Sequence, residues 1–129
     1  MPNAAALKVL IVDDQYSVRQ VTRFALEEIG VRHIYESEDG KAAFETLGVQ
    51  PLDLIISDFN MPEMDGLDLL RAVRGSPAVR KLPFILLTGR GDRELVVKAA
   101  QAGVNNYLIK PFTAAILRQK IEQVMGRLF

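Results

Sequence analysis

A chain of 129 residues has the size of one domain, since domains commonly run to about 100–150 residues, and a second catalytic or DNA-binding module has no room. At 49% hydrophobic and 25% charged it has the composition of a globular protein with a buried core, which excludes disordered and fibrous classes. Its 16 basic and 16 acidic residues cancel, so no global field would hold it on nucleic acid or an anionic membrane, while the lack of cysteine and a single histidine, His33, exclude disulfides, thiol nucleophiles, imidazole metal clusters and serine triads.

Residues 1–6 read as a flexible N-terminus ahead of a single domain over 1–129. Lys8-Val9-Leu10-Ile11-Val12 is a short apolar run of the kind a strand buried on both faces shows, and it ends at Asp13-Asp14. Val18, Val21, Phe24, Ala25 and Ile29 then recur at helical spacing, with Gly30 where a left-handed cap would sit. A weak second strand, His33-Ile34-Tyr35-Glu36, precedes a helix that Asp39-Gly40 opens and Gly48 closes. Leu54-Ile55-Ile56-Ser57 runs into Asp58, and Asp65-Gly66 opens a third helix through Leu67, Leu70, Val73 and Arg74, stopped by Gly75-Ser76-Pro77. Phe84-Ile85-Leu86-Leu87 ends at Thr88. Asp92 is the predicted N-cap of a fourth helix with Leu95, Val96, Ala99 and Ala100 inward and Gly103 at its end. Asn106-Tyr107-Leu108-Ile109 ends at Lys110-Pro111. Thr113 then caps a last helix with an apolar stripe at Leu117, Ile121, Val124 and Leu128. Strand and helix alternate five times, which predicts an α/β fold: a (βα)5 flavodoxin-like three-layer sandwich on a parallel five-stranded sheet of order 2-1-3-4-5.

In open parallel sheets the carboxyl ends of the strands form the ligand edge, and four of these strands end in polar residues. One Asp after an apolar strand is usually a turn starter, one Thr a turn former and one Lys a solvated strand end. The four endings together point to a shared pocket. Two carboxylates about 4 Å apart repel by about 4 kcal/mol at an effective dielectric of 20. Nothing structural requires Asp13, Asp14 and Asp58 to accept that cost, and a hard divalent cation removes it; all-oxygen ligation suits Mg²⁺. Asp58, with an ordinary pKa of about 3.9, is ionised at neutral pH and can attack an activated phosphoryl group without a general base. Lys110, Thr88 and loop N–H groups would hold the added charge. Pro111 makes a cis bond available at the strand end, and the cis form is expected. His33 has no assigned role, and Met61 and Met64 read as packing fillers.

This residue set resembles the receiver domain of two-component response regulators over essentially the whole chain. The resemblance rests on Asp13-Asp14, Asp58, Thr88 and Lys110-Pro111-Phe112, with Pro62, Asp65 and Gly66 in the loop after Asp58. Within the family, Asp58-Phe59-Asn60-Met61-Pro62-Glu63-Met64-Asp65-Gly66 and Ala99-Ala100-Gln101-Ala102-Gly103 are most similar to the single-domain chemotaxis regulators. The resemblance implies Mg²⁺, with Mn²⁺ able to substitute, held by Asp14, Asp58 and the backbone carbonyl of Asn60, with Asp13 acting through water. It also implies that Thr88 and Tyr107 form a switch, that Asn60 and Arg90 set the lifetime of the phosphate, and that Val96, Tyr107 and Lys120 lie on the output face. Gln15, Arg90 and Gln123 depart from the best-known chemotaxis regulators, which leaves the chemistry in place and bears on hydrolysis and partner choice.

The function expected is a stand-alone receiver, monomeric and cytoplasmic, phosphorylated on Asp58 by a histidine kinase. Its signal would leave to a flagellar motor component or a phosphotransfer protein, in chemotaxis or motility. It would catalyse its own phosphorylation and dephosphorylation without being a turnover enzyme, and no nucleic acid or membrane insertion is expected. The alternatives are a phosphorelay intermediate or phosphate sink of another two-component pathway, and a phosphoaspartate phosphatase. The phosphatase is disfavoured because Asn60 stands where that class needs an acid/base Asp.

Overall fold

The computed structural model describes residues 2–89 and 93–129. Its strands are β1 (Lys8–Val12), β2 (His33–Ser37), β3 (Leu54–Asp58), β4 (Phe84–Thr88) and β5 (Asn106–Ile109). The intervening helices are α1 (Tyr16–Ile29), α2 (Gly40–Leu47), α3 (Gly66–Gly75), α4 (Arg93–Gln101) and α5 (Ala114–Met125). All strand pairs are parallel and the order is β2-β1-β3-β4-β5, as the alternation predicts.

Successive side chains of a strand point to opposite faces, so each apolar run feeds two cores. Val9, Ile11, Leu54, Ile56, Ile85, Leu87 and Leu108 lie under Leu26 of α1 and Leu117 and Ile121 of α5. Leu10, Val12, Ile55, Phe84 and Leu86 lie under Ala43 of α2, Leu69, Leu70 and Val73 of α3, and Leu95 and Ala99 of α4. Fully burying one such aliphatic side chain is worth about 1.5–3 kcal/mol, and this double layer holds the strand ends where the site needs them. Helix starts follow the caps read from sequence. Asp39 accepts from the Ala42 N–H at 2.7 Å, Asp65 and Asp68 form a capping box, and Thr113 accepts from the Ile116 N–H at 3.1 Å.

Several details differ from the sequence reading. In α1, Val21 and Phe24 are exposed at 57% and 68%, and Thr22 and Leu26 face inward instead. Thr22 is tolerated there because its hydroxyl donates to the Val18 carbonyl at 3.3 Å. Ala100 of α4 is exposed, while Leu128 is buried although it lies beyond the end of α5. The flexible N-terminus is also corrected. Ala4–Ala6 form a 3₁₀ turn capped by Asn3, and Ala4 is buried with its N–H donating to the Phe129 carbonyl at 2.9 Å. Residues 4–6 are held because that pairing satisfies backbone polar groups beside the α1–α5 core. The predicted cap Asp92 lies outside the described residues.

Arg74, at the end of α3, ties two loops together, the one before β4 and the one before β5. Its Nε donates to the Gly103 carbonyl at 2.9 Å, Nη1 to the Leu82 and Arg80 carbonyls at 2.7 and 3.0 Å, and Nη2 to Asn105 Oδ1 at 2.8 Å. Asn105 Oδ1 also accepts from the Phe84 N–H that begins β4. Replacing Arg74 by Met keeps the stem and removes all four bonds, leaving the part-buried Leu82 carbonyl without this donor and the two loops untied. The expected loss is about 3 kcal/mol of unfolding free energy, measured by urea denaturation.

Candidate functional site

The sheet register assembles the pocket. Val12 of β1 is opposite Ser57 of β3, so the next residues, Asp13 and Asp58, emerge side by side. Asp58 is opposite Leu87, and Thr88 is opposite Ile109, which brings Thr88 and Lys110 to the same edge. The chain turns outward in opposite directions from β1 and β3, because β2 lies on one side and β4 on the other. That reversal opens the crevice in which such sheets bind ligands.

One oxygen from each of Asp13, Asp14 and Asp58 falls within 4.8 Å of the others. Asp13 and Asp58 are buried and Asp14 is exposed. Lys110 Nζ makes an ion pair with Asp58 Oδ1 at 2.6 Å, offsetting one of the three negative charges. Asp13 Oδ1 accepts from the Gln15 N–H at 2.9 Å, but Asp13 Oδ2 is buried with no hydrogen-bond partner. Burial pushes the Asp13 carboxyl above its ordinary pKa; the Gln15 bond opposes this and the Asp58 charge adds to it. A buried acceptor without a donor is costly and rare. Three oxygens with one orphan fit a hard divalent cation, for which side-chain oxygens and water are the usual ligands.

The other residues singled out in the sequence take separate places. Thr88 is buried at the end of β4, with its carbonyl accepting from the Lys110 N–H at 2.7 Å. The Lys110–Pro111 peptide is cis. Asn60 is exposed in the loop after Asp58. Met61 is buried and Met64 packs against the α2–α3–α4 core. Tyr107, on the edge strand β5, packs partly against that same core, and the Lys120 ammonium of α5 sits 5.2 Å from its ring centre. Val96 of α4 is half-buried, and Arg90 lies outside the described residues.

Two supports were not visible in the sequence. Gly66 lies so close to the Asp58 carbonyl and to Leu86 Cδ1 that a Cβ would collide with both, and its N–H donates to the Phe59 carbonyl at 2.9 Å. The glycine reads from sequence as a helix start, whereas close approach of backbone to backbone is what requires it. Arg19 is the second. Its Nη1 donates to the Asp13 carbonyl at 2.7 Å and its Nε to Glu36 Oε1 at 3.0 Å. No spacing rule pairs a first-turn residue of α1 with the second strand, so only tertiary structure reveals this contact.

With the geometry in view, the response regulator receiver domain profile matches residues 9–122. A Rhizobium etli protein named as a probable chemotaxis protein CheY is 48% identical over 128 residues, covering 99% of each chain. The chemotaxis protein CheY of Pseudomonas aeruginosa is 41% identical, covering 94% of this chain and 98% of that one. Among solved structures, Vibrio cholerae chemotaxis protein CheY4 superposes with a TM-score of 0.86 at 32% identity, covering 92% of this chain and 98% of that one.

The burial of Asp13, with the Asp58 charge adding to it, sets the direction of a pH effect. Its folded carboxyl titrates above the ordinary value of 3.8, so the ionised form costs stability that the protonated form does not. The Asp13→Asn protein should therefore melt about 4 °C higher than wild type in EDTA at pH 7, equivalent to about 1 kcal/mol. The difference should shrink as pH falls through the window from the raised Asp13 pKa toward 3.8. Scanning calorimetry at several pH values measures it.

Proposed function

The chain belongs to the response regulator receiver domain family, and on that premise we propose that it is a magnesium-dependent phosphorylation switch with Asp58 as the phosphoacceptor. The observation that carries this reading is the ion pair between Lys110 Nζ and the buried Asp58 carboxylate at 2.6 Å, beside two further carboxylates. An Asp58 oxygen attacks the phosphorus of a kinase phosphohistidine. The new O–P bond forms as the N–P bond breaks, and the imidazole leaves with the electron pair and takes up a proton. Lys110 is already in place to follow the negative charge onto the phosphoryl oxygens. Asp13, Asp14, Asp58 and the Asn60 carbonyl would hold Mg²⁺, which neutralises charge on the transferring group when bound.

The readout passes along β4 and β5. Thr88 lies one residue beyond the position opposite Asp58, and its carbonyl bonds the Lys110 N–H. A phosphoryl group that draws in the Thr88 hydroxyl would alter the space available to Tyr107, and with it the α4–β5–α5 face carrying Val96 and Lys120. A two-state face of this kind needs the phosphoryl group to bind one state better by a few kcal/mol. The names of the relatives support chemotaxis signalling, with a histidine kinase as donor and a downstream protein as target. Asn60 and Arg90 are the residues proposed to set the phosphate lifetime.

The donor's approach is also marked. Lys110 shares an apolar groove of about 370 Å³ with Pro111, Phe112, Ser17, Val18, Val21 and Thr22. Exposed Val21 lines this groove with Lys110, the partner of Asp58, and a kinase domain presenting phosphohistidine to Asp58 would rest there. Asp58→Asn should abolish phosphate incorporation from radiolabelled acetyl phosphate; retained incorporation would remove Asp58 from its role. Val21→Asp should slow transfer from a phosphorylated kinase by about tenfold, the loss of roughly 1.4 kcal/mol, and leave acetyl phosphate labelling unchanged.

A further inference from the structure

Arg19 is a mostly buried cation, its side chain 13% exposed, at the point where α1 leaves the pocket. Its guanidinium spans two acceptors, the Asp13 carbonyl at 2.7 Å and Glu36 Oε1 at 3.0 Å, and the Tyr16 ring covers it with its centre 5.6 Å away. Glu36, on β2, also receives Gln20 Nε2 at 3.1 Å and Arg23 Nη1 at 2.9 Å. Burial alone would raise the Glu36 carboxyl, but the bonds from Arg19 and Gln20 and the charge of Arg23 together hold it below the ordinary range, so it stays a fixed anion.

The bonds of this cluster divide unequally. Glu36 keeps two other α1 donors if Arg19 is withdrawn, so Arg19 duplicates a function on that side. On the Asp13 side it is not duplicated among the donors described. The Asp13 peptide N–H bonds the Ser37 carbonyl at 3.1 Å, Oδ1 takes the Gln15 N–H, and Arg19 holds the carbonyl. Backbone and one carboxylate oxygen are thereby fixed, and only Oδ2 is left without a partner. Arg19 contacts the pocket at the Asp13 carbonyl, and its ion pair is made with Glu36, so its direct hold on the pocket is one of orientation.

We propose that Arg19 is a positioning residue for the metal. By gripping the Asp13 carbonyl and bracing on Glu36 it fixes the turn between β1 and α1, so that Asp13 Oδ2 is held ready for the cation at no further ordering cost. Partners that orient ligands in this way typically change metal affinity 10- to 100-fold when removed. The inference rests on the reading of Asp13, Asp14 and Asp58 as a magnesium site.

Calorimetric titration of the full chain with MgCl₂ tests it. Arg19→Met should weaken Mg²⁺ about tenfold, and Arg19→Lys, whose ammonium can reach one acceptor but not both in the same fork, should fall between. Glu36→Gln, which leaves the Arg19–Asp13 bond in place, should weaken Mg²⁺ less than Arg19→Met. Acetyl phosphate labelling of Arg19→Met should be slow at low Mg²⁺ and return to the wild-type rate at saturating Mg²⁺. A purely structural arginine would lower the melting temperature in EDTA and leave Mg²⁺ affinity unchanged. Wild-type affinity in Arg19→Met and Arg19→Lys, with affinity lost in Asp13→Asn, would overturn the inference alone. Wild-type protein that takes no Mg²⁺ would overturn the magnesium reading and the inference with it.

Discussion

Pairing Val12 with Ser57 across β1 and β3 forces Asp13 and Asp58 to leave the sheet as neighbours, and the rest of the pocket answers that constraint. Two buried carboxylates at such a distance repel by several kcal/mol unless compensated. Lys110 compensates Asp58, the Gln15 N–H satisfies half of Asp13, and Oδ2 is left over. Stability is thus given up at one edge, where three carboxylate oxygens converge and one of them has no partner, the usual relation between candidate functional sites and local strain.

The two apolar layers make this possible. Strands gripped on both faces by α1 and α5 and by α2, α3 and α4 cannot shift register to separate the charges. Gly66 brings the loop after β3 hard against the Asp58 carbonyl, and Glu63 in the same loop adopts a positive φ of 67°, a conformation that non-glycine residues hold only when their surroundings demand it. Arg19 does for the β1 turn what Gly66 does for the β3 loop. On the far edge, β5 is flanked by sheet on one side only, and Tyr107 there touches both the α2–α3–α4 core and the Lys120 ammonium. The carboxylates therefore sit on strands packed on both faces, whereas Tyr107 sits on an edge strand, partly packed on the core and partly against Lys120.

Much of this was legible in the chain. Continuous apolar runs cannot be half-exposed strands, so Leu10-Ile11-Val12 and Leu54-Ile55-Ile56 announced a sheet covered on both faces, and Asp39, Asp65 and Thr113 announced the helices. In α1, Val21 and Phe24 keep helical spacing yet face outward, and Thr22 takes the inward position. Spacing finds the period of a helix, but its phase depends on what packs against it. Ala100 and the N-terminal turn departed for the same reason: both are decided by neighbours distant in sequence.

The order of residues along the chain carries the alternation of strands and helices, the strand order and the candidacy of Asp13, Asp14, Asp58, Thr88 and Lys110 as one set. These follow from local periodicity, capping and the chirality of parallel crossovers, which short windows of residues carry. Tertiary structure decided which oxygen of Asp13 is orphaned, that Lys110 already pairs with Asp58, that Gly66 has no room for a side chain, and that Arg19 reaches both Asp13 and Glu36. Each depends on distances of a few tenths of an ångström between segments many residues apart, set by packing and register and not by local chain chemistry.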